Sequence, residues 1–449
     1  MMAATIAEPS PQALARRFRA PGGWPAFRHQ VEAARCCRRP VRLAGQVSHV
    51  DDGKPQVVFD TRSLPDGVLL KACGTRRESL CPPCAAIYRA DAFQLVAAGL
   101  RGGKGIESAV ACHPAVMVTL TAPSFGAVHR IAASGTCHPG TRRCRHGRVL
   151  ACHSHHRDDD PILGTPLCSR CYDYTAAVVF NARVTELWRR TSIYALRALG
   201  ELVGTSTRCV AQEVRLSYVK VVEYQKRGSV HLHALVRLDA RDDSLSPPPE
   251  AYSAEVLAQA LLRAAARVSA PAAPGEIGGQ RVVWGDQREV AIVTDDDRAR
   301  SAFYLAKYAT KGVEATGALD HRLGHFDRES LDIDDHLCEL VAAAWSLGDD
   351  PRFAALRPKS WAHMLCFRGH VVTKSKRYST TFRSLRDERR RHVVESIEGA
   401  EASGDEVARW RFVGIGYTDD TDAYLAAMLA DEEREARLAA RQALREDEL

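Results

Sequence analysis

Short apolar stretches separated by turn residues predict several β-strands in the middle of the chain. Residues 115–121, AVMVTLT, form an apolar run closed by a proline, which is typical of a buried strand. Residues 215–238, RLSYVKVVEYQKRGSVHLHALVRL, predict two strands joined near Gly228. Residues 289–293, EVAIV, predict a further short strand. We expect these strands to pair in one antiparallel sheet.

Apolar residues at helical spacing fill the segments between these strands. The predicted helices cover residues 172–202, 251–269 and 298–313, and the last of them ends near Gly312. The order is therefore strand, polar insertion, helix, strand pair, helix, strand, helix. This order predicts an α+β fold with a central antiparallel sheet, cysteine-rich insertions and a helical C-terminal region.

Composition divides the chain into five parts. They are a loose leader at 1–30, a cysteine-rich region at 31–110, the α+β domain at 111–316 with a cysteine-rich insertion at 137–171, a basic region at 317–395 and an acidic helical tail at 396–449. The leader is rich in Ala, Pro and Arg and lacks periodicity. The tail has acidic and basic residues four positions apart, which indicates a solvated helix that is open to a partner.

Charge is unevenly distributed over the 449 residues. Net charge is +7, but the segment from Glu398 to the end has 14 acidic and 6 basic residues, which leaves 56 basic against 41 acidic residues before it. A body this basic favours a polyanionic partner. No apolar run is long enough to cross a membrane, and the first 20 residues lack the apolar core of a signal peptide. We expect a cytoplasmic protein without a membrane partner.

Fourteen cysteines in a cytoplasmic chain indicate metal binding, because a reducing compartment keeps thiols free to act as ligands. The first predicted structural zinc site consists of Cys73, Cys81 and Cys84, completed by Cys36 or Cys37. The second, in the insertion, consists of Cys144, Cys152, Cys168 and Cys171, with His146 or His155 as substitutes. We expect the zinc ions to stiffen these regions or to assist DNA recognition.

Two histidines one residue apart lie on the second strand of the predicted pair. A strand directs residues i and i+2 to the same face, so His231 and His233 form a two-pronged candidate metal ligand. Glu223 lies eight residues earlier, on the preceding strand. A lone His-x-His pair is more often structural, so its meaning depends on what accompanies it.

The helix at 298–313 contains a repeated Tyr-x-x-Lys pattern. Tyr304 and Tyr308 lie one turn apart on one face, and Lys307 and Lys311 each follow a tyrosine by three residues. Tyrosines at this spacing commonly serve packing. A tyrosine hydroxyl becomes a competent nucleophile toward a phosphodiester when an ammonium group and a metal ion assist it.

Together these motifs resemble the HUH single-strand endonucleases, whose His-hydrophobic-His motif precedes a catalytic tyrosine in replication initiators. Four segments also resemble the RepSA-like replication initiators of actinobacterial plasmids and integrative elements. They are LCPPCAAIYRADAFQL, GTPLCSRCYDY, FYLAKYATKG and SWAHMLCFRGHVVTKSKRYSTTFRSLR. The resemblance covers residues 70–390, although such proteins usually have Gly where this chain has Cys366. It implies that residues 111–316 form a nicking domain.

The resemblance implies metal-assisted nicking of one DNA strand. His231 and His233, with Glu223 or Gln225 as third ligand, would hold Mg²⁺ or Mn²⁺ against the scissile phosphate. Tyr304 would attack, forming a 5′-phosphotyrosyl bond and freeing a 3′-OH that primes rolling-circle replication.

The second tyrosine and the lysines have implied roles in the same reaction. In a two-tyrosine scheme Tyr308 would cut the regenerated origin, whereas in a one-tyrosine scheme it packs and Glu223 activates water. Lys307 and Lys311 would stabilise the developing charge.

The basic segment at 368–392 and the lack of a nucleotide-binding loop indicate which partners the protein needs. Arg368, Lys374, Lys376 and Arg377 are candidate contacts to the phosphates of single-stranded and duplex origin DNA, with Tyr378 or Phe382 for base stacking. The chain has no GxxxxGK[ST] loop for nucleotide hydrolysis, so a host helicase and a DNA polymerase are implied. A non-catalytic zinc-containing DNA-binding protein or repressor and an HUH transposase are the alternatives.

Overall fold

The computed structural model describes residues 7–20, 22–51, 54–242, 245–276, 278–310, 323, 333–395 and 405–446. These residues divide into two compact units. The terminal unit is Met1–Asp91 with Arg383–Leu449, and the central unit is Ala92–Phe382. The division differs from the five parts expected from composition, because strands from the two ends of the chain pair in one sheet.

The terminal unit is built around a four-stranded antiparallel sheet. Its strands are β1 (Val41–Asp51), β2 (Lys54–Asp60), β3 (Leu69–Lys71) and β11 (Asp405–Ile415). Its helices are α1 (Pro11–Arg19), α2 (Gly23–Ala33) and α10 (Asp420–Glu446). The boundaries between the two units fall within α3 (Pro82–Arg101) and at the start of α9 (Phe382–Glu395). Strand β1 pairs with β11, β2 and β3. The sheet therefore joins residues more than 350 positions apart in sequence.

The expectation of a loose leader at 1–30 is wrong from residue 11 onward, because α1 and α2 make most of these residues helical. Ser10 caps α1 by accepting a hydrogen bond from the Ala13 amide at 3.2 Å, and Pro11 occupies the first helical position. Arg17 is buried and forms ion pairs with Asp422 of α10 and, at 2.8 Å, with Asp66. The leader is therefore fixed by acidic partners that are distant in sequence.

The acidic tail is helical only in its second part. Residues 405–415 form β11, and α10 follows from Asp420. One face of α10 is buried through Leu425, Ala426 and Leu429, while Glu433 and Arg437 form an i,i+4 ion pair on its surface. The helix therefore has an apolar side that packs and a charged side that is solvated.

The central unit contains a five-stranded antiparallel sheet in the order β10-β5-β6-β4-β9. Its strands are β4 (Ala115–Leu120), β5 (Val214–Tyr224), β6 (Val230–Ala240), β9 (Arg288–Ile292) and β10 (Val372–Lys374), and a separate two-stranded ribbon is formed by β7 (Ala270–Pro271) and β8 (Arg281–Val282). Its helices are α4 (Tyr174–Val203), α5 (Thr207–Glu213), α6 (Ala254–Arg267), α7 (Arg298–Ala309) and α8 (Asp335–Leu347). The mixed architecture with antiparallel sheets agrees with the predicted α+β class.

The two faces of this sheet carry different helices. Leu232, Ala234 and Val236 of β6 face the large apolar core to which α4 and α6 contribute. The alternate residues of β6 face α7. Because β6 is central and covered on both sides, its sequence is apolar at almost every position except the histidines and the polar residues near its end.

Cys366 has a backbone conformation that glycine adopts more readily than other residues. Its φ is 67°, in the left-handed region that glycine adopts without steric cost. The cysteine side chain at this position is buried. Among the described residues, none of the helices is both long enough and apolar enough to cross a lipid bilayer.

The expectation that Tyr378 stacks on DNA bases is wrong, because this side chain is completely buried. Its hydroxyl donates a hydrogen bond to the Val96 carbonyl at 3.1 Å. Its ring fills the space above Gly99, where an added Cβ would lie 2.2 Å from the ring. Tyr378 is therefore a core residue of the central unit, in spite of its basic neighbours in sequence.

We expect Tyr378→Ala to lower the free energy of unfolding by about 3–5 kcal/mol, because it leaves a large cavity against α3. Tyr378→Phe keeps the ring and loses one hydrogen bond, so it should cost only about 1 kcal/mol. Urea unfolding of the full-length variants measures both values. A stable Tyr378→Ala variant with weakened DNA binding would restore the stacking role.

Candidate functional site

The histidine pair lies on the central strand, facing α7. His231 is paired across the sheet with Glu223 of β5, and His233 lies between Val221 of β5 and Thr119 of β4. The two imidazole rings are 4.5 Å apart between centroids. The register therefore brings together the two histidines and the carboxylate that the sequence predicted as a set.

A polar side chain lies near each nitrogen of the His233 ring, and the one at Nδ1 is within hydrogen-bond distance. Its Nδ1 lies 3.2 Å from Thr119 Oγ1, and its Nε2 lies 3.7 Å from Glu223 Oε2. A partner on one ring nitrogen fixes the orientation of the ring and leaves the other nitrogen for a ligand. Thr119 was not predicted from the sequence, although period-two alternation in the β4 stretch places it on the histidine face.

His231 is held in the neutral form. Burial, with a smaller contribution from His233, lowers the pKa of His231 to about 4. Its imidazole therefore carries no proton charge near neutral pH, and a ring nitrogen is available as an electron-pair donor.

Helix α7 places both tyrosines beside His233. The Tyr308 ring stacks on the His233 ring with centroids 4.7 Å apart, and the Tyr304 ring meets it edge-on at 5.5 Å. The first residue of α7, Arg298, is buried and donates hydrogen bonds to the carbonyls of Leu100 (3.0 Å) and His113 (3.4 Å). These bonds anchor the start of the helix and so position its tyrosines.

Tyr304 is the more accessible of the two tyrosines, with 41% of its surface exposed. Partial burial, the hydrogen bond with Tyr308 and the charges of Glu223 and Glu289 raise the pKa of Tyr304 above its ordinary value. Glu289 stands opposite Thr119 on β9 and was not predicted from the sequence. The phenol therefore stays protonated at neutral pH unless positive charge is brought to the site.

The structure gives less support to the other predicted site residues, which are Lys307, Lys311 and Gln225. Lys307 is exposed on α7. Lys311 lies outside the described residues. Gln225, the alternative third ligand, accepts a hydrogen bond from Arg227 at 2.9 Å. Glu223 is therefore the better placed of the two candidate third ligands.

In each of three further groups of side chains among the described residues, the ligand atoms lie within 4.8 Å of one another. The set of His231, His233 and Glu223 does not meet this distance criterion. The first of these groups is Cys37, Cys73, Cys81 and Cys84. Of the two cysteines that the sequence allowed as the fourth ligand, Cys37 belongs to the group, and the choice of Cys36 is wrong. Backbone φ values of 59° at Arg35 and 50° at Cys36 turn the chain, and the Cys36 thiol faces Glu433 instead. Burial and this carboxylate raise the pKa of Cys36 to about 12.

The insertion holds two groups where the sequence predicted one. The second group is Cys144, His146, Cys168 and Cys171, and the third is His129, Cys137, Cys152 and His156. The assignment of Cys152 to the Cys144 set is wrong. Its amide donates to the His138 carbonyl at 2.9 Å, and this pairing places Cys152 next to Cys137. His146 takes its place in the second group, as the sequence allowed, whereas His155 belongs to neither group.

The third group has the outer contact that metal-binding histidines usually have. His156 Nδ1 lies 2.6 Å from the carboxylate of Asp160, which leaves Nε2 near Cys152 at 3.3 Å. Sets of four cysteines and histidines fit a tetrahedral ion such as zinc. The described residues therefore offer three sites of this kind.

Comparison with known proteins identifies the family of the chain. The family described as "Replication initiator protein, pSAM2" (RepSA) matches residues 23–431. The chain belongs to the RepSA family of replication initiators. A replication initiator protein of Streptomyces ambofaciens is 37% identical over 439 residues, which cover 93% of this chain and 92% of that protein. No solved structure matches the chain.

The side chains of the basic segment in this RepSA family member differ in how exposed they are to solvent. Lys376 and Arg377 are exposed. Arg368 donates to the Ala355 carbonyl at 2.7 Å, and the Lys374 ammonium donates to the Ser375 and Lys376 carbonyls. Phe382, the alternative stacking residue, is half-buried. Lys376 and Arg377 are therefore the better exposed candidates for contact with phosphates.

We expect metal analysis of the purified full-length protein to find three zinc ions per chain, one for each cysteine and histidine group. Cys37→Ser should remove one ion, because it takes one of four ligands from the first site. Cys36→Ser is the matched control and should retain all three. Loss of zinc from Cys36→Ser with full retention in Cys37→Ser would contradict the ligand assignment.

Proposed function

We propose that this replication initiator binds origin DNA and nicks one strand with Tyr304 as the nucleophile, as HUH endonucleases do. The observation that carries the proposal is the meeting of His233 with both tyrosines of α7, at ring distances of 5.5 and 4.7 Å. The two motifs are about 70 residues apart in sequence. Their convergence on one side of the sheet supports a catalytic role for the histidine pair, because packing alone does not require these residues to meet.

His231, His233 and Glu223 would hold a divalent cation, Mg²⁺ or Mn²⁺. The donor set combines a carboxylate, a ligand type that suits Mg²⁺ and Mn²⁺, with the neutral imidazole of His231, which has an electron pair to donate. When bound, the ion supplies a Lewis acid that polarises the scissile phosphate and positive charge that favours the tyrosinate. Thr119 keeps the His233 ring oriented for this purpose.

Tyr304 attacks the phosphorus atom in the proposed reaction. A bond forms between its phenolic oxygen and the phosphate, the bond to the 3′ oxygen breaks, and a 3′-OH is released. The DNA 5′ end stays on the protein as a phosphotyrosine, and the 3′-OH primes rolling-circle synthesis. A host polymerase would extend it, and a host helicase would separate the strands ahead of the polymerase.

Tyr308 is the candidate for a second cleavage. Its ring is stacked on His233, whereas Tyr304 is more exposed and so more accessible to DNA. The rings of the two tyrosines are 4.8 Å apart, so one bound phosphate could be passed between them with little movement. This arrangement favours Tyr304 for the first cut and Tyr308 for the cut that ends a round.

We expect a covalent adduct when the full-length protein is incubated with Mn²⁺ and labelled single-stranded fragments of its element's origin. The adduct should map to Tyr304 and be absent from Tyr304→Phe and from the His231→Ala, His233→Ala double variant. Tyr308→Phe is the matched control and should still form the first adduct. Origin binding without an adduct on any tyrosine would instead support a non-catalytic zinc-containing DNA-binding protein.

We expect Thr119→Val to reduce the rate of adduct formation by about 10- to 100-fold, because loss of an outer hydrogen bond to a metal-binding histidine has effects of that size. Thr119→Ser keeps the hydroxyl and should stay close to the unaltered protein. Initial rates measured over a series of Mn²⁺ concentrations separate weaker metal binding from slower chemistry. Equal rates for the Val and Ser variants would exclude the orienting role.

A further inference from the structure

A basic cleft of about 530 Å³ lies on the opposite face of the sheet from the histidines. Its walls are α4, the edge of the sheet formed by β5 and β10, and the segment 368–370. All of these belong to the central unit. The cleft is therefore separate from the tyrosine site and from the three cysteine and histidine groups.

Lys220 is the most unusual group in this cleft. It lies on β5 with Ala234 as one cross-strand neighbour, so its side chain points away from the His233 face. The residue is only 4% exposed, and burial lowers the pKa of its ammonium group to about 8. In the described part of the central unit no acceptor forms a hydrogen bond with this group. A buried charge is costly unless it is paired, so an anionic ligand would be favourable at this position.

Thr373 adds a second unmatched donor. It is directly opposite Lys220 in the pairing of β10 with β5, so both side chains enter the cleft from the same face. The Thr373 hydroxyl is buried, and no described group forms a hydrogen bond with it. Two neighbouring donors, one charged and one neutral, therefore enter one cleft, and no described acceptor forms a hydrogen bond with either of them.

The charges around these two donors also favour an anion. Arg183, Arg368 and His370 line the cleft. The single acidic lining residue, Glu186, is paired with two arginines on α4 at 2.7 Å each, and hydrogen bonds from Arg189 hold the pKa of its carboxyl down at about 2. Its charge is thus already compensated, and the cleft remains positive.

We propose that this cleft binds a phosphate group, with the Lys220 ammonium and the Thr373 hydroxyl as donors to its oxygens. Phosphate is the anion that fits, since an ammonium point charge and a hydroxyl are common phosphate donors. The phosphate belongs either to the backbone of a DNA strand that runs over this face or to a free phosphate or nucleotide. The site requires neither the divalent cation nor the tyrosines.

Protection of Lys220 from an amine-acylating reagent tests the proposal. The full-length protein is labelled briefly without added divalent metal, and modification of Lys220 is measured by mass spectrometry relative to exposed Lys54. Four conditions are compared: no ligand, inorganic phosphate, a single-stranded oligonucleotide, and the same oligonucleotide with an uncharged methylphosphonate backbone. A ligand at about ten times its Kd should slow the labelling of Lys220 about tenfold.

The outcomes separate the two sources. Protection by the charged oligonucleotide alone assigns the site to the DNA backbone, and protection by inorganic phosphate alone assigns it to a free phosphate. Protection by both supports a general phosphate site. No protection by either, or equal protection by the uncharged oligonucleotide, overturns the proposal.

A matched pair of variants tests the second donor. Thr373→Val should weaken the protection by the effective ligand, whereas Thr373→Ser should retain it. If the Thr373 hydroxyl has no ligand, Thr373→Val removes only an unsatisfied buried group, and protection should be unchanged while thermal stability stays equal or rises. That result would also contradict the proposal, and the stability measurement shows whether each variant is folded.

Discussion

The candidate site depends on the register with which β6 pairs to its two neighbours. A strand alternates its side chains, so a slip of one residue would turn both histidines toward α4 and α6 and bring Leu232 and Ala234 to the α7 face. The apolar residues of β6 that face the main core are almost fully buried, and this burial fixes the register. The packing of one face of the strand thus determines the chemistry on the other.

The cysteine and histidine groups address a different physical problem. The insertion is polar, with few buried apolar side chains from Gly135 to Arg170 beyond Leu163 and Leu167. Such a segment gains little from apolar burial, and metal coordination can supply the missing folding free energy. In the terminal unit the four clustered cysteines instead belong to an apolar core that also contains the buried face of α10.

Local patterns predicted much of the central unit. The strand that contains the histidines, the helix that contains the tyrosines and the long helix α4 were all expected near their actual bounds, because alternation and helical spacing are properties of short segments. The pairing of β1 with β11 could not be predicted, since nothing local relates strands at opposite ends of the chain. The class of the fold was thus accessible from the sequence, but the division into units was not.

Errors at individual residues have similar causes. Cys36 and Cys37 are adjacent, and only the left-handed backbone at Cys36 decides which thiol joins the group. Cys152 had two possible sets of partners, and a local hairpin selects the unexpected one. Tyr378 lies in a basic segment typical of DNA contact, yet the glycine opposite its ring makes it a core residue. In each case tertiary contacts override the pattern of neighbours in sequence.

The central claim is that the histidine pair on β6 holds a divalent cation next to the tyrosines of α7. Anomalous diffraction from crystals of the full-length protein soaked in Mn²⁺ tests it most directly, with data collected where manganese scatters anomalously and zinc does not. The account predicts a manganese peak at bonding distance from His231 and His233, on the side that faces Tyr304. Manganese bound only at other positions would contradict the claim. The absence of bound manganese, with zinc fully occupying the cysteine and histidine groups, would also contradict it.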